Sequence, residues 1–307
     1  MGNVLAFDTS CYTTSAAFWE NGRMAADRRI PLSVPEGRKG LRQSEAVFQH
    51  LRNIPLLLEE FGGFLKSVDV VAASDAPRRL PGSYLPVFTV GRNFARSIAS
   101  LADKPVYFCS HQEGHLAAGA WSCGEELPPR FLAGHFSGGT TEVLAVEESS
   151  AGYCCRILAA TSDLHAGQFV DRIGVAMGLP FPAGPALERM AEECGGGYPA
   201  LPFSKQKNRI SFSGPATAAL RLIEQGVRPA EIAKAVFHCI GRMLGEIIRD
   251  NLSETEAGAV LLVGGVMANG AIQDYLKENL PGRLLFAEKK YCSDNAAGVA
   301  LLGGRFA

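Results

Sequence analysis

The chain shows none of the features that mark an extreme environment. Lys and Arg number 30 and Asp and Glu 31, a net charge of −1, which excludes a broadly basic nucleic-acid binder. Basic clusters do occur locally: Arg38, Lys39 and Arg42; Arg78 and Arg79; Arg92 and Arg96; Lys205, Lys207 and Arg209; Lys289 and Lys290. Each reads first as solvated surface. Long apolar runs are missing. The longest, "AVLLVGGVMA", is broken by two glycines, so no membrane span is expected. The N-terminus "MGNVLAFDTS" has no basic region ahead of its apolar stretch, so no signal peptide is expected. It also has no Ser or Thr at position six, which weakens a lipidation reading. The eight cysteines (11, 109, 123, 154, 155, 194, 239 and 292) include no C-x-x-C pair. Several sit in apolar runs, where a free thiol behaves as a small hydrophobe, and a reduced cytoplasm is the expected setting. Neither H-E-x-x-H nor a full G-x-G-x-x-G is found, which removes the ordinary zinc-protease and dinucleotide fingerprints.

What remains is an ordinary globular composition, 47% hydrophobic and 20% charged over 307 residues. That length favours two lobes over one core. "NVLAFD" reads as a strand, "DTSCYTTS" as a turn-rich tail, "AAFW" as a returning strand and Asn21-Gly22 as a hairpin turn. The same plan recurs in "FLAGHF", "SGGTT" and "EVLAVEE". Two such units, each near the start of one half, predict a duplicated architecture with a cleft between the halves. Helices are expected in "SEAVFQHLRNIPLLLEEF", with Ser44 as cap, Val47, Leu51, Ile54 and Leu58 on one face and a kink at Pro55. Others are expected in "VGRNFARSIASLAD", in "RPAEIAKAVFHCIGRMLGEIIRDNL" from Pro229, in "AIQDYLKENL" and in "SDNAAGVALLGG", capped by Ser293 or Asp294. Strands alternating with helices in both halves indicate an α/β class.

The stretch "HQEGH" carries the sharpest chemistry. His111 and His115 are four apart and share a helix face, so they could grip one ion. Glu113 lies two positions from each and turns about 200° away; a zinc protease needs its glutamate directly after the first histidine, where Gln112 stands. Asp294 could add a carboxylate, and two imidazoles with a carboxylate suit zinc or non-haem iron. "FSGGTTEV" contains Gly138 and Gly139, whose backbone could approach an anion, although a plain hairpin turn accounts for the same letters. "VGGVMANG" places glycines between a strand and a helix; Asn269 could contact a base or ribose, or cap that helix. Asp171 could accept ribose hydroxyls or pair with Arg172. Histidines 50, 135, 165 and 238 stand isolated.

Taken in order, "FDTSCYTTSAA", "HQEGHLAA", "FSGGTTEV", "GLPFPAGPALE", "SFSGPATAAL", "VGGVMANG" and "CSDNAAGVALLGG" resemble the bacterial tRNA threonylcarbamoyladenosine transferases (TsaD), long labelled glycoprotease or O-sialoglycoprotein endopeptidase. The likeness runs from residue 5 to residue 304. It implies the duplicated α/β fold of the actin/hexokinase/Hsp70 (ASKHA) class around a nucleotide cleft. It places an N-terminal lobe over 1–128 with the histidine pair. A C-terminal lobe over 129–307 would hold the nucleotide contacts and the third metal ligand. It implies one divalent metal, iron or zinc, on His111, His115 and Asp294. Adenylate or ATP would be held by His135, Phe136, Ser137, Gly138, Gly139, Asp171, Gly184 and Asn269. The implied activity moves a threonylcarbamoyl group from threonylcarbamoyl-adenylate to the exocyclic amine of the tRNA adenosine beside the anticodon. A smaller paralogous subunit and an ATPase are implied partners. The chain departs from the family at "CYTT" for CDET, at "SGGTT" for SGGHT, at "GQFVD" for GEAFD, and at "APRRLPGSY" for a glycine-proline loop. Those departures motivate the alternative of a non-catalytic paralogue binding a nucleotide and a partner subunit; a carbamoyltransferase with another acceptor is a further one, and a metalloprotease, implied by the old label, comes last.

Overall fold

A computed structural model describes residues 2–10, 12–35, 40–150, 152–203, 208–255 and 257–306. Cys11 and the basic residues Arg38, Lys39, Lys205 and Lys207 lie outside them. The chain forms two compact units. The first comprises Met1–Glu125, Glu148–Cys154 and Ser293–Ala307, and the second Glu126–Glu147 and Cys155–Cys292.

The first unit is built on a sheet of strands β1 (Val4–Ser10), β2 (Thr13–Glu20), β3 (Arg23–Pro31), β4 (Val70–Ala76) and β5 (Val106–Ser110). Their spatial order is β3-β2-β1-β4-β5. β1 pairs antiparallel with β2 and parallel with β4, in register Val4↔Trp19 and Val4↔Val70. The β2–β3 turn is Asn21-Gly22, both at positive φ (51° and 80°), as its two-residue length demands. Helices α1 (Gln43–Glu60), α2 (Phe88–Ala102) and α3 (His111–Ser122) join the strands or follow them. Leu5, Phe7, Phe18, Ile54, Leu57 and Phe61 fill a fully buried core.

The second unit repeats this plan. Strands β6 (Arg130–Phe136), β7 (Thr141–Ser149), β8 (Gly152–Thr161) and β9 (Arg209–Ile210) are followed by β10 (Val260–Val263) and β11 (Leu284–Phe286), in the order β11-β10-β6-β7-β8-β9. β6 pairs antiparallel with β7 and parallel with β10, as β1 does with β2 and β4. Helices α4 (Ala166–Ala176), α5 (Gly184–Glu192), α6 (Ser213–Glu224), α7 (Pro229–Glu254), α8 (Gly270–Asn279) and α9 (Lys289–Cys292) complete it. Pro229 opens α7 as expected, and Val236, Ile240, Leu244 and Ile247 are all buried. No helix among the described residues is long and apolar enough to cross a membrane.

Four expectations change. Ser44 is not the α1 cap: Arg42 stands there, and its N–H donates to the Glu45 carboxylate at 3.1 Å. The buried face of α1 is Ala46, His50, Ile54 and Leu57, while Leu51 is 47% exposed. A histidine can lie inward because Thr14 Oγ1 sits 2.9 Å from its Nδ1. Helix α10 (Ala297–Phe306) starts beyond Ser293 and Asp294; Asn295 Oδ1 accepts the Ala297 N–H and takes the capping role. The expected division at 128/129 meets an observed one at 125/126, but residues 293–307 belong to the first unit. Asp294 therefore lies in the unit that carries the histidines. The cause is α10, which packs on β1, β4 and α3.

Candidate functional site

Strand β5 ends at Ser110, which caps α3, so the two histidines occupy the first and second turns of a fixed helix. Glu113 is spent on that cap. Its Oε2 accepts the Ser110 N–H and Oγ–H, both at 2.7 Å, while its own N–H donates to Ser110 Oγ at 3.2 Å. Arg79 Nε donates to the same Oε2 at 3.1 Å, and the guanidinium also reaches Asp75 and the Phe108 carbonyl, each at 2.8 Å. The glutamate of "HQEGH" is thus a structural anchor of the α3 start.

Two glycines bring the carboxylate to the imidazoles. A Cβ on Gly298 of α10 would lie 1.8 Å from the Gly114 carbonyl of α3, and a Cβ on Gly114 would press Val299 at 3.2 Å. The helices meet backbone to backbone there, which only glycine permits, and the loop before α10 arrives over the first turns of α3. His115 Nε2 stands 3.1 Å from His111 Nε2 and 3.3 Å from Asp294 Oδ1, and His111 Nε2 stands 3.5 Å from that oxygen. A four-coordinate ion with bonds near 2.0–2.1 Å spaces neighbouring donors about 3.3–3.4 Å apart. The trio fits one such ion and leaves a fourth position for substrate. Behind it, Asp8 Oδ2 takes His111 Nδ1 at 2.8 Å, and Ser10 Oγ donates to Asp294 Oδ2 at 2.8 Å.

The charges fit the geometry. Burial works against an ionised His111, yet Asp8 and Asp294 outweigh it and raise the ring well above its usual range. Burial, reinforced by the His111 charge, lowers His115 and keeps it neutral. Asp294 stays ionised well below the usual carboxylate range, because hydrogen bonds from both rings overcome its desolvation. Two anionic carboxylates around two imidazoles make a net negative, largely buried group with His111 and Asp294 partly open to solvent, which an added cation would neutralise.

In the second unit His135 to Gly139 lie at the carboxyl end of β6 and Asn269 follows that of β10, while Asp171 and Gly184 stand on α4 and α5. His135 and Phe136 are buried at the end of β6. The turn beyond is tied by Gly139 and Thr140 N–H groups to Ser137 Oγ. Gly138 and Gly139 have open space where a Cβ would stand. A Cβ on Gly167, at the start of α4, would meet the Gly138 backbone at 2.7 Å, and one on Gly264 would meet the Phe136 carbonyl at 2.3 Å. Asp171 turns to the backbone instead of Arg172: its Oδ1 accepts the Ala183 N–H at 2.7 Å beside Gly184, and burial raises its pKa. Asn269 takes the cap reading: its Oδ1 accepts the Ile272 N–H of α8 at 3.0 Å. Glu188, unassigned in the sequence, accepts the Gly270 N–H at 3.0 Å and joins α5 to α8. The carboxyl ends of parallel strands, with helix N-termini around them, are where α/β sheets bind nucleotides.

The departures from the family pattern also have places. Tyr12 is 41% exposed ahead of β2, and Thr13 opens that strand half-buried, paired with Ser10 of β1. Thr140 closes the glycine turn, and Gln168 Oε1 accepts the His165 N–H at the start of α4. "APRRLPGSY" supplies Arg79, the clamp on Glu113. Sequence reasoning missed Asp8, Ser10 and Arg79. The signal for the first two was an apolar strand that ends in three polar residues, Asp8, Thr9 and Ser10.

Two duplicated α/β units with a shared strand order give the chain the actin/hexokinase/Hsp70 fold. Solved structures agree in fold: HypF from T. kodakarensis has a TM-score of 0.67 at 16% identity over 99% of this chain, which spans 47% of HypF. A ROK family glucokinase from Streptomyces griseus has a TM-score of 0.56 at 12% identity over 99% of this chain and 100% of the glucokinase. The sequence model of the tRNA N6-adenosine threonylcarbamoyltransferases (TsaD) matches residues 44–301. A protein of that name from Thermus thermophilus is 36% identical over 98% of this chain and 92% of its own length. One from Archaeoglobus fulgidus is 32% identical over 97% and 90%. The chain belongs to the TsaD family.

Proposed function

We propose that this protein transfers a threonylcarbamoyl group from threonylcarbamoyl-adenylate to the exocyclic amine of the tRNA adenosine beside the anticodon. The amine nitrogen bonds to the carbamoyl carbonyl carbon, the bond from that carbon to the adenylate phosphate oxygen breaks, AMP leaves with the bonding electrons, and one amine proton passes to solvent. The observation that carries this reading is the meeting of His111 Nε2, His115 Nε2 and Asp294 Oδ1 within 3.5 Å of one another, in a chain of this family. These three would hold a zinc or iron ion, which when bound supplies Lewis-acid polarisation of the transferred carbonyl. The turn of Ser137, Gly138 and Gly139 would face the phosphate, and Asp171, Gly184 and Asn269 would flank the nucleoside. The smaller paralogous subunit and ATPase of other family members fit this reading as partners, and tRNA as acceptor places the work in the cytoplasm.

Purified wild-type protein is expected to hold about one zinc or iron ion per chain by elemental analysis, and His111→Ala with His115→Ala to hold none. Full retention of metal in the double variant rejects the ligand assignment. Metal-loaded protein given threonylcarbamoyl-adenylate and unmodified tRNA, with and without the implied partners, is expected to yield the modified nucleoside by mass spectrometry. Unmodified tRNA under both conditions rejects the transferase reading.

A further inference from the structure

Strand β1 enters the metal centre with two side chains that touch no ion position themselves. Residues two apart on a strand face the same way. Phe7 and Thr9 face the core and α2, where Thr9 Oγ1 donates to the Val87 carbonyl and accepts the Gly91 N–H. Asp8 and Ser10 face α3 and the loop before α10. Asp8 is fully buried, and its oxygens have different partners: Oδ1 accepts the Ser10 N–H at 3.0 Å and Oδ2 meets His111 Nδ1 at 2.8 Å. An ionised carboxylate can only accept, so Nδ1 of His111 carries the hydrogen. In the neutral ring the lone pair then belongs to Nε2, the nitrogen beside His115 and Asp294. Ser10 Oγ donates to Asp294 Oδ2 at 2.8 Å, which turns Oδ1 toward the two imidazoles.

We infer that Asp8 and Ser10 are positioning residues for the metal: Asp8 fixes the tautomer and ring orientation of His111, and Ser10 fixes which carboxylate oxygen Asp294 presents. The inference rests on the metal reading above. Partners of this kind hold imidazole and carboxylate ligands in register, and their loss weakens metal affinity about 10- to 100-fold. One strand thus governs ligands on two separate elements, α3 and the loop before α10.

The test titrates metal-free protein with zinc against a chromophoric chelator, and with cobalt to read the visible absorption of the bound ion. Asp8→Asn keeps the shape and removes the charge; its zinc affinity is expected to fall about 10- to 100-fold with an altered cobalt spectrum. Ser10→Ala is expected to lose about 10-fold, while Ser10→Thr, which keeps the hydroxyl, retains wild-type affinity and spectrum. The Ser10 pair decides the matter even if Asp8→Asn does not fold. Melting curves of the metal-free proteins separate weaker binding from general destabilisation. Wild-type affinity and spectrum in both Asp8→Asn and Ser10→Ala overturn the inference. A wild-type chain that takes up no ion overturns the metal reading itself, and this inference with it, before any variant is compared.

Discussion

At the scale of single residues, the absence of a side chain matters as much as any functional group. Gly298 and Gly114 let α10 and α3 touch through their backbones. Gly298→Ala would drive a methyl group into a carbonyl that has no room to withdraw, since α3 is anchored by Ser110, Glu113 and Arg79. Overpacking of this kind costs about 1–3 kcal/mol, and this contact belongs at the upper end. Thermal unfolding is expected at a clearly lower temperature, and metal content is expected to fall with it as Asp294 is pushed away. A wild-type melting curve for Gly298→Ala would mean that the helices do not meet as described. The histidine pair was legible from its spacing, as was the unsuitability of Glu113 as a protease base. The roles of Asp8 and Ser10 were not, because hydrogen-bond partners 103 and 284 residues away leave no local pattern.

At the scale of elements, caps explain where the reading from sequence held and where it slipped. The strands of both hairpins, the long α7 and its buried stripe follow directly from apolar periodicity. Helix α1 slipped because apolar residues lie on more than one side of it, and a buried histidine with a hydroxyl partner reads as polar in any hydropathy pattern. Helix α6 has a remote cap. Asp163, fifty residues before Ser213, accepts hydrogen bonds from the Phe212 and Ser213 N–H groups and from Ser211 Oγ. Those bonds, with the Leu164 N–H, more than offset its modest burial and hold its pKa well below the usual carboxylate value. Asp163→Ala should cost about 1 kcal/mol, as for loss of a helix cap, measured by denaturant unfolding near neutral pH. A carboxylate depressed in the folded state stabilises above its unfolded pKa of about 4 and loses that contribution as pH falls through the folded value. The gap between wild type and Asp163→Ala is therefore expected to hold steady from pH 7 to about pH 5 and to shrink below about pH 4. A gap that widens on acidification contradicts the assignment.

At the scale of the whole molecule, duplication was visible in the sequence as a recurring strand–turn–strand pattern, and the shared order of five strands in each unit bears it out. Membership of the closing segment was not visible, because it depends on glycine contacts between distant helices. The two units consequently differ in how they can be cut out. Residues 126–292 hold nearly all of the second unit, including the core of Leu132, Phe169, Phe212, Ile240 and Leu262. Expressed alone, that fragment is expected to melt cooperatively by circular dichroism. Residues 1–125 lack α10, whose Gly303 packs on Val4 and Ala72 and whose Gly304 packs on Trp19. With that apolar surface uncovered, at about 25 cal/mol per Å², this fragment is expected to show no cooperative transition. A sharp melt from 1–125 would contradict the architecture.

The return of residues 293–307 to the first unit also sets a timetable for synthesis. A nascent chain emerging from the ribosome has β1–β5 and both imidazoles early, yet it waits through the whole second unit for Asp294 and α10. Translation that stalls before residue 294 leaves a product with both imidazoles, no Asp294 and a sheet face without its cover. The centre is closed only once Asp294 and α10 have been made.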